Sequence, residues 1–180
     1  MLKLRTQRLL LRPFRMSDAM DFSAYRSDPA VARYQSWETP YPLEAARELI
    51  DEMLKRGTVP WPGQWNQVAV ELAEGGGVET LIGDCAFRIL ASEPGTACVG
   101  FTLTTRFWGK GYATEAASAV IAWLFDAAGM QRVVADCDAR NLASQRVLER
   151  LGMRRAGEAE VAFKGEVVRE LRFEMGVGSR

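Results

Sequence analysis

The sequence predicts an α/β protein, an α+β layer in which helices flank a mixed sheet. Three observations carry that prediction. Residues 98–125, CVGFTLTTRFWGKGYATEAASAVIAWLF, open with the alternation of a half-buried strand and close with helical spacing. Around them, strand and helix patterns follow the order β-α-α-α-β-β before and β-α-β-β after. The last two strands, Gly157–Phe163 and Glu166–Met175, face each other across a Lys164-Gly165 turn.

Taken in order, Leu9–Phe14 is strand-like and stops at Pro13. Ser17 is placed to cap a short helix carrying Ala19, Met20, Phe22 and Ala24. Asp28-Pro29, a capping residue followed by a first-turn proline, starts another that reaches Tyr34. Pro42 opens a clearer helix with Leu43, Ala46, Leu49, Ile50, Met53 and Leu54 on one face, and Gly57 ends it. Val68–Leu72 and Leu81–Ile89 read as strands joined by a hairpin turn at Gly75–Gly77, and Glu93-Pro94-Gly95 turns the chain into the central strand. Gly129 ends the central helix, Val133–Asp138 forms the next strand, and Asn141 caps a helix over Leu142–Leu151 that Gly152 closes.

Composition narrows the function. The 180 residues are 48% hydrophobic and 26% charged, as in an ordinary globular chain. Lys+Arg and Asp+Glu both number 23, so bulk charge gives no support for direct nucleic-acid binding. The charge is uneven, however: residues 140–155 hold five arginines against Glu149. There is no histidine, which excludes Ser-His-Asp chemistry, HExxH zinc sites and a histidine base. Cys85, Cys98 and Cys137 are odd in number and sit in strand-like runs, so they suit buried thiols of a reducing compartment, with no metal site. The longest apolar run, Ala116–Phe125, is far short of the ~20 residues that span a bilayer. The N-terminus lacks a signal-peptide cleavage pattern, and a cytoplasmic protein without a membrane partner is the expectation.

The chemistry concentrates between the central strand and helix, at Arg106-Phe-Trp-Gly109-Lys110-Gly111-Tyr112-Ala113-Thr114. Two glycines two apart let the backbone turn sharply and bare its N–H groups at a helix N-terminus, which suits a phosphate or pyrophosphate. A bend that merely needs glycine explains the pair equally well. The GxxxxGK(S/T) phosphate loop is excluded because Gly111 precedes Tyr112, and the GxGxxG fingerprint because Thr114 replaces its third glycine. What fits is Q/R-x-x-G-x-G/A, matched by Arg106, Gly109 and Gly111 within the run WGKGYATEA.

On these residues the chain resembles the GNAT N-acetyltransferases, most closely the RimJ/RimL-like branch of ribosomal-protein alanine acetyltransferases. The resemblance implies a GNAT-like mixed, mostly antiparallel sheet flanked by helices, with residues 1–180 as one domain. It implies acetyl-CoA as acetyl donor, its pyrophosphate held by the loop and its pantetheine arm paired with the backbone of Phe101, Thr102 and Leu103. A second stretch, Asn141-Leu-Ala-Ser144, matches the family's N-x-x-S helix beside pantetheine, although a capped helix with a polar serine accounts for it too. The resemblance further implies Ser144 as proton donor to the departing thiolate. The acceptor would be a primary amine, with Tyr34 and Trp37 as walls of its pocket or, alternatively, as core plugs. Glu38, Glu71 and Asp84 are open as the base, homodimerisation is open, and no metal is implied. A non-catalytic acyl-CoA-binding module on the same fold is the alternative that turnover would separate.

Overall fold

A computed structural model describes residues 2–57, 62–73 and 80–179. The Gly75–Gly77 turn lies outside the described residues. The elements are β1 (Leu4–Arg5), β2 (Leu9–Arg12), α1 (Ala19–Arg26), α2 (Pro29–Ala32), α3 (Leu43–Arg56), β3 (Asn66–Leu72), β4 (Thr80–Ile89), β5 (Thr96–Leu103), α4 (Tyr112–Asp126), β6 (Arg132–Asp138), α5 (Leu142–Arg150), β7 (Arg154–Phe163) and β8 (Glu166–Gly176). The order is the one the sequence predicts, with the two-residue β1 added in front and β7 starting before Gly157.

The strands form one eight-stranded sheet in the order β1-β2-β3-β4-β5-β6-β8-β7, and every neighbouring pair is antiparallel except β5–β6. That exception follows from α4, a crossover helix that returns the chain to the same end of the sheet. Alternation along the strands sorts the core into two layers. One face packs Leu9, Leu11, Val68, Val70, Ile82, Phe87, Val99, Leu103, Val133 and Phe173 against Ala116, Val120, Ile121 and Leu124 of α4. The other presents Ala69 and Leu81 to Phe14, Phe22, Tyr25, Ala46 and Ile50 from the α1–α3 region.

Helix starts follow local chemistry, with one correction. Asp28 caps α2, its carboxylate accepting Ala30 N–H at 2.9 Å. Ser17 is not the cap of α1: a short 3-10 turn over Met16–Asp18 precedes the helix, and Asp18 accepts Arg15 N–H at 2.7 Å. A carboxylate is a stronger acceptor than a hydroxyl, and Asp18 is also ion-paired with buried Arg12 at 2.7 Å. All three cysteines are free thiols; Cys85 and Cys98 are buried and Cys137 half-buried, and burial pushes the Cys98 and Cys137 thiols up to about 11. Among the described residues no helix is long and apolar enough to cross a membrane.

Candidate active site

The parallel junction of β5 and β6 is short. Register pairing covers Thr96–Arg132, Ala97–Val133 and Cys98–Val134. Beyond it both strands run on, β5 to Leu103 and β6 to Asp138, without pairing to each other. Beside the free end of β5 lies a cleft of about 470 Å³. One wall is Phe101, Thr102 and Leu103, the floor is the start of α4, and the opposite wall is α5.

Each wall has a local cause. After β5 the chain makes a 3-10 turn over Thr105–Phe107, and the Trp108 indole N–H donates to the Leu103 carbonyl at 2.7 Å, folding the loop back on the strand end. Gly109 and Gly111 both take the left-handed conformation, φ 73° and 82°, which L side chains rarely adopt. Gly111 is the N-cap of α4 and has no side chain with which to cap it. The first N–H groups of the helix, at Tyr112, Ala113 and Thr114, are thus left for whatever occupies the cleft. At α5, by contrast, Asn141 Oδ1 accepts Ser144 N–H at 3.1 Å, so that helix closes its own cap.

The α4 N-terminus is braced from across the chain. Arg8 bonds Glu115 at 2.6 Å and donates to the Lys110 carbonyl at 3.0 Å, while Thr6 donates to Glu115 at 2.6 Å. Burial alone would raise the Glu115 pKa, but these bonds from Thr6 and Arg8 hold it below the usual carboxylate range. This carboxylate in the first turn is therefore spent on Arg8 and Thr6. Among the residues lining the cleft there is no Asp or Glu, whereas Arg33, Arg146 and Arg150 all line it.

The cleft brings together most of the residues singled out in the sequence: Phe101, Thr102, Leu103, Gly109, Gly111, Tyr112, Ala113, Thr114, Asn141 and Ser144, with Tyr34 also in its lining. Ser144 is half-buried and its hydroxyl has no hydrogen bond to the described residues. Tyr34 Oη donates to the Arg140 carbonyl at 3.4 Å, tying the segment after α2 to the turn before α5. Arg106 and Lys110 do not line the cleft; both are exposed and sit against the Phe107 ring, at 4.7 and 5.4 Å. Arg146 and Arg150 escaped residue-level assignment, although the arginine excess of residues 140–155 pointed to them.

Trp37 is a correction. It does not line the cleft; it packs on the second core layer, its indole N–H donating to the Arg26 carbonyl at 3.0 Å and its ring stacking 4.1 Å from the Arg26 guanidinium. An aromatic in a proline-bearing loop fits a pocket wall or a plug equally well, and here Phe22, Arg26 and Tyr41 supply the packing that makes it a plug. Trp37→Ala is expected to cost stability near the lower end of the ~3–5 kcal/mol typical of emptied aromatic sites. Chemical denaturation checks this, with acetyl-CoA affinity of the folded variant as the control.

Comparisons with known proteins identify the family and the fold. Residues 8–154 match the family model described as an acetyltransferase (GNAT) domain. An uncharacterized N-acetyltransferase, p20, of Bacillus licheniformis is 30% identical over 154 residues, 86% of this chain and 83% of that protein. The crystal structure of a GNAT-family acetyltransferase from Bacillus anthracis superposes with a TM-score of 0.84 at 25% identity, covering 97% of this chain and 98% of that one. RimL, a ribosomal alpha-N-protein acetyltransferase in complex with coenzyme A, shares the fold with a TM-score of 0.80 at 16% identity over 99% and 100% of the two chains. The chain belongs to the GNAT acetyltransferase family and is an acyltransferase.

Proposed function

We propose that the protein is an acetyl-CoA-dependent N-acetyltransferase in which a primary amine attacks the bound thioester directly, in a ternary complex. The observation that carries this is the cleft between the end of β5, the start of α4 and α5, with bare helix N–H groups on its floor, arginines at its walls and no carboxylate in its lining. Such a cavity fits a long polyanion and repels none of its phosphates. The donor's pyrophosphate would sit over Gly109–Thr114, its pantetheine arm along Phe101–Leu103, and its thioester between the β5 and β6 ends. A β5 backbone N–H in that opening would stabilise the oxygen that becomes negative during attack. Ser144 would donate to the leaving sulfur.

The acceptor is a primary amine, and the ordinary pKa values favour an α-amine. At pH 7 an α-amine with pKa about 7.7–8 is ~10–20% neutral, against ~0.04% for a lysine at about 10.4. That difference is worth roughly 3.5 kcal/mol, which the enzyme need not supply for an N-terminus or an amino acid. Thiol release from acetyl-CoA with a panel of α-amino and side-chain amines tests the proposal, and no turnover with any of them would overturn it.

The arginines give a second test. Arg146 and Arg150, one helical turn apart on α5, line the cleft and have no carboxylate partner among the described residues. Replacing both by glutamine is expected to weaken acetyl-CoA binding about tenfold by calorimetry at low salt, with the difference shrinking at high salt as screening removes it. An unchanged affinity at low salt would leave the pair as solvated surface.

A further inference from the structure

A buried carboxylate stands directly behind the cleft wall. Asp84 on β4 is 2% exposed and accepts Tyr25 Oη at 2.5 Å. It belongs to one row across the sheet: Arg12 on β2, Ala69 on β3, Asp84 on β4 and Thr102 on β5 are successive register partners. Register partners share a face, with Cβ atoms about 4.5–5.5 Å apart. Thr102 thus joins the two sides, since it lines the cleft and its side chain stands beside Asp84. Its hydroxyl has no hydrogen bond to the described residues. The strands are pressed together here, because a Cβ on Gly83 would stand 2.0 Å from the Thr102 carbonyl oxygen.

The other carboxylates near the acceptor side are worse placed. Glu71 is buried in an ion pair with Arg12 at 2.6 Å, and Glu38 is an exposed side chain 3.9 Å from Lys164. Glu170 on β8 has no hydrogen-bond partner among the described residues, but neither it nor its register partner Asp138 lines the cleft. A buried carboxylate costs stability unless it is paired, and Asp84 has a tyrosine hydrogen bond and no salt bridge among the described residues.

Resting on the acetyl-transfer reading, we propose that Asp84 is the proton acceptor of the reaction, reached through Thr102. As the amine nitrogen bonds to the acetyl carbon and the C–S bond breaks, the N–H proton passes by way of a cleft water and the Thr102 hydroxyl to the Asp84 carboxylate. The leaving sulfur takes its proton from Ser144, and both groups return to their starting state by exchange with solvent. Tyr25 is a positioning residue that holds one oxygen of the carboxylate by its hydrogen bond. The charged and titratable groups around Asp84 are few. From α1 they are Tyr25 and Arg26, the latter held to Gln67 at 3.3 Å; β3 presents Ala69. Arg12 is two strands away and engaged by Asp18 and Glu71, and Cys85 on β4 belongs to the other core layer. Burial raises the Asp84 pKa, while Arg26 and the Tyr25 bond pull it back without cancelling the rise.

The test is kcat against pH at saturating acetyl-CoA and amine, for the wild type and for Asp84→Asn, Tyr25→Phe, Thr102→Val and Thr102→Ser, with acetyl-CoA affinity and thermal stability measured alongside. Asp84→Asn is expected to lower kcat ~100-fold or more and to abolish its acid limb, with acetyl-CoA affinity unchanged. Tyr25→Phe removes a donor that favours the charged carboxylate, so the limb should move to higher pH. Thr102→Val should behave like Asp84→Asn and Thr102→Ser should restore turnover, which keeps the proposal testable if Asp84→Asn does not fold. An Asp84→Asn enzyme with the wild-type profile would overturn it, as would loss of the limb in Glu170→Gln alone. A wild type that binds acetyl-CoA but turns over no amine would overturn the acetyl-transfer reading itself.

Discussion

Ser144→Ala is expected to lower kcat about 100-fold while acetyl-CoA binds as tightly as before. The helix should not suffer, because the cap at this position is the Ser144 backbone N–H held by Asn141 Oδ1, which alanine retains. Alanine is also the stronger helix former, so thermal stability should hold or rise slightly. The hydroxyl, free of partners among the described residues and half-buried in the cleft, is available to a sulfur that gains charge only as the C–S bond breaks. An interaction of that kind is stronger in the transition state than in the ground state, so its loss appears in kcat and spares affinity. Proton donation by a positioned side chain contributes ~10²–10⁴-fold, which sets the scale. Stopped assays with a saturating amine, together with acetyl-CoA calorimetry, separate the cases. Weakened binding with kcat intact would make Ser144 a contact of the donor's arm and no more.

What the sequence revealed, and what it concealed, divides along the range of the interactions. α3 could be read because its apolar positions and its Gly57 stop are local, and the structure buries Ala46 and Ile50 on that face. The β5–loop–α4 segment could be read because strand alternation, two glycines and a helical stripe follow one another within thirty residues. The brace on that segment could not: Thr6 and Arg8 meet Glu115 across more than a hundred residues, and nothing in either stretch announces the other. Trp37 failed differently. Composition does not say which way an indole turns, and the stacked Arg26 that decides it belongs to α1. Asp84 stood among three carboxylates until strand register put it beside Thr102, and pairing with Arg12 removed Glu71. Periodicity assigns residues to faces; only register and tertiary pairing assign them to neighbours.

Gly111→Val is expected to abolish the stabilisation that acetyl-CoA confers. A ligand at one hundred times its Kd adds about 2.7 kcal/mol to the folded state. With an unfolding entropy of about 2.1 cal/mol/K per residue, that corresponds to a rise in Tm of roughly 7 °C for a chain of this length. Gly111 has φ 82°, and valine there is strained by an amount of order 1–3 kcal/mol, so the variant should start from a Tm lower by several degrees. The added Cβ would meet Arg8 Nη2 at 3.5 Å, an ordinary contact, so the ion pair that braces α4 should survive and the fold with it. What should not survive is the anion seat. Relief of the strain turns the peptide whose N–H groups open the helix, and the branched methyls occupy the space over Tyr112–Thr114. Thermal unfolding of both proteins with and without acetyl-CoA distinguishes the two contributions. A variant with a lowered baseline and no ligand shift fits an anion seat at the α4 N-terminus. A lowered baseline with the full 7 °C shift would reduce Gly111 to a bend in the chain and move the phosphate contacts onto the arginines of α5.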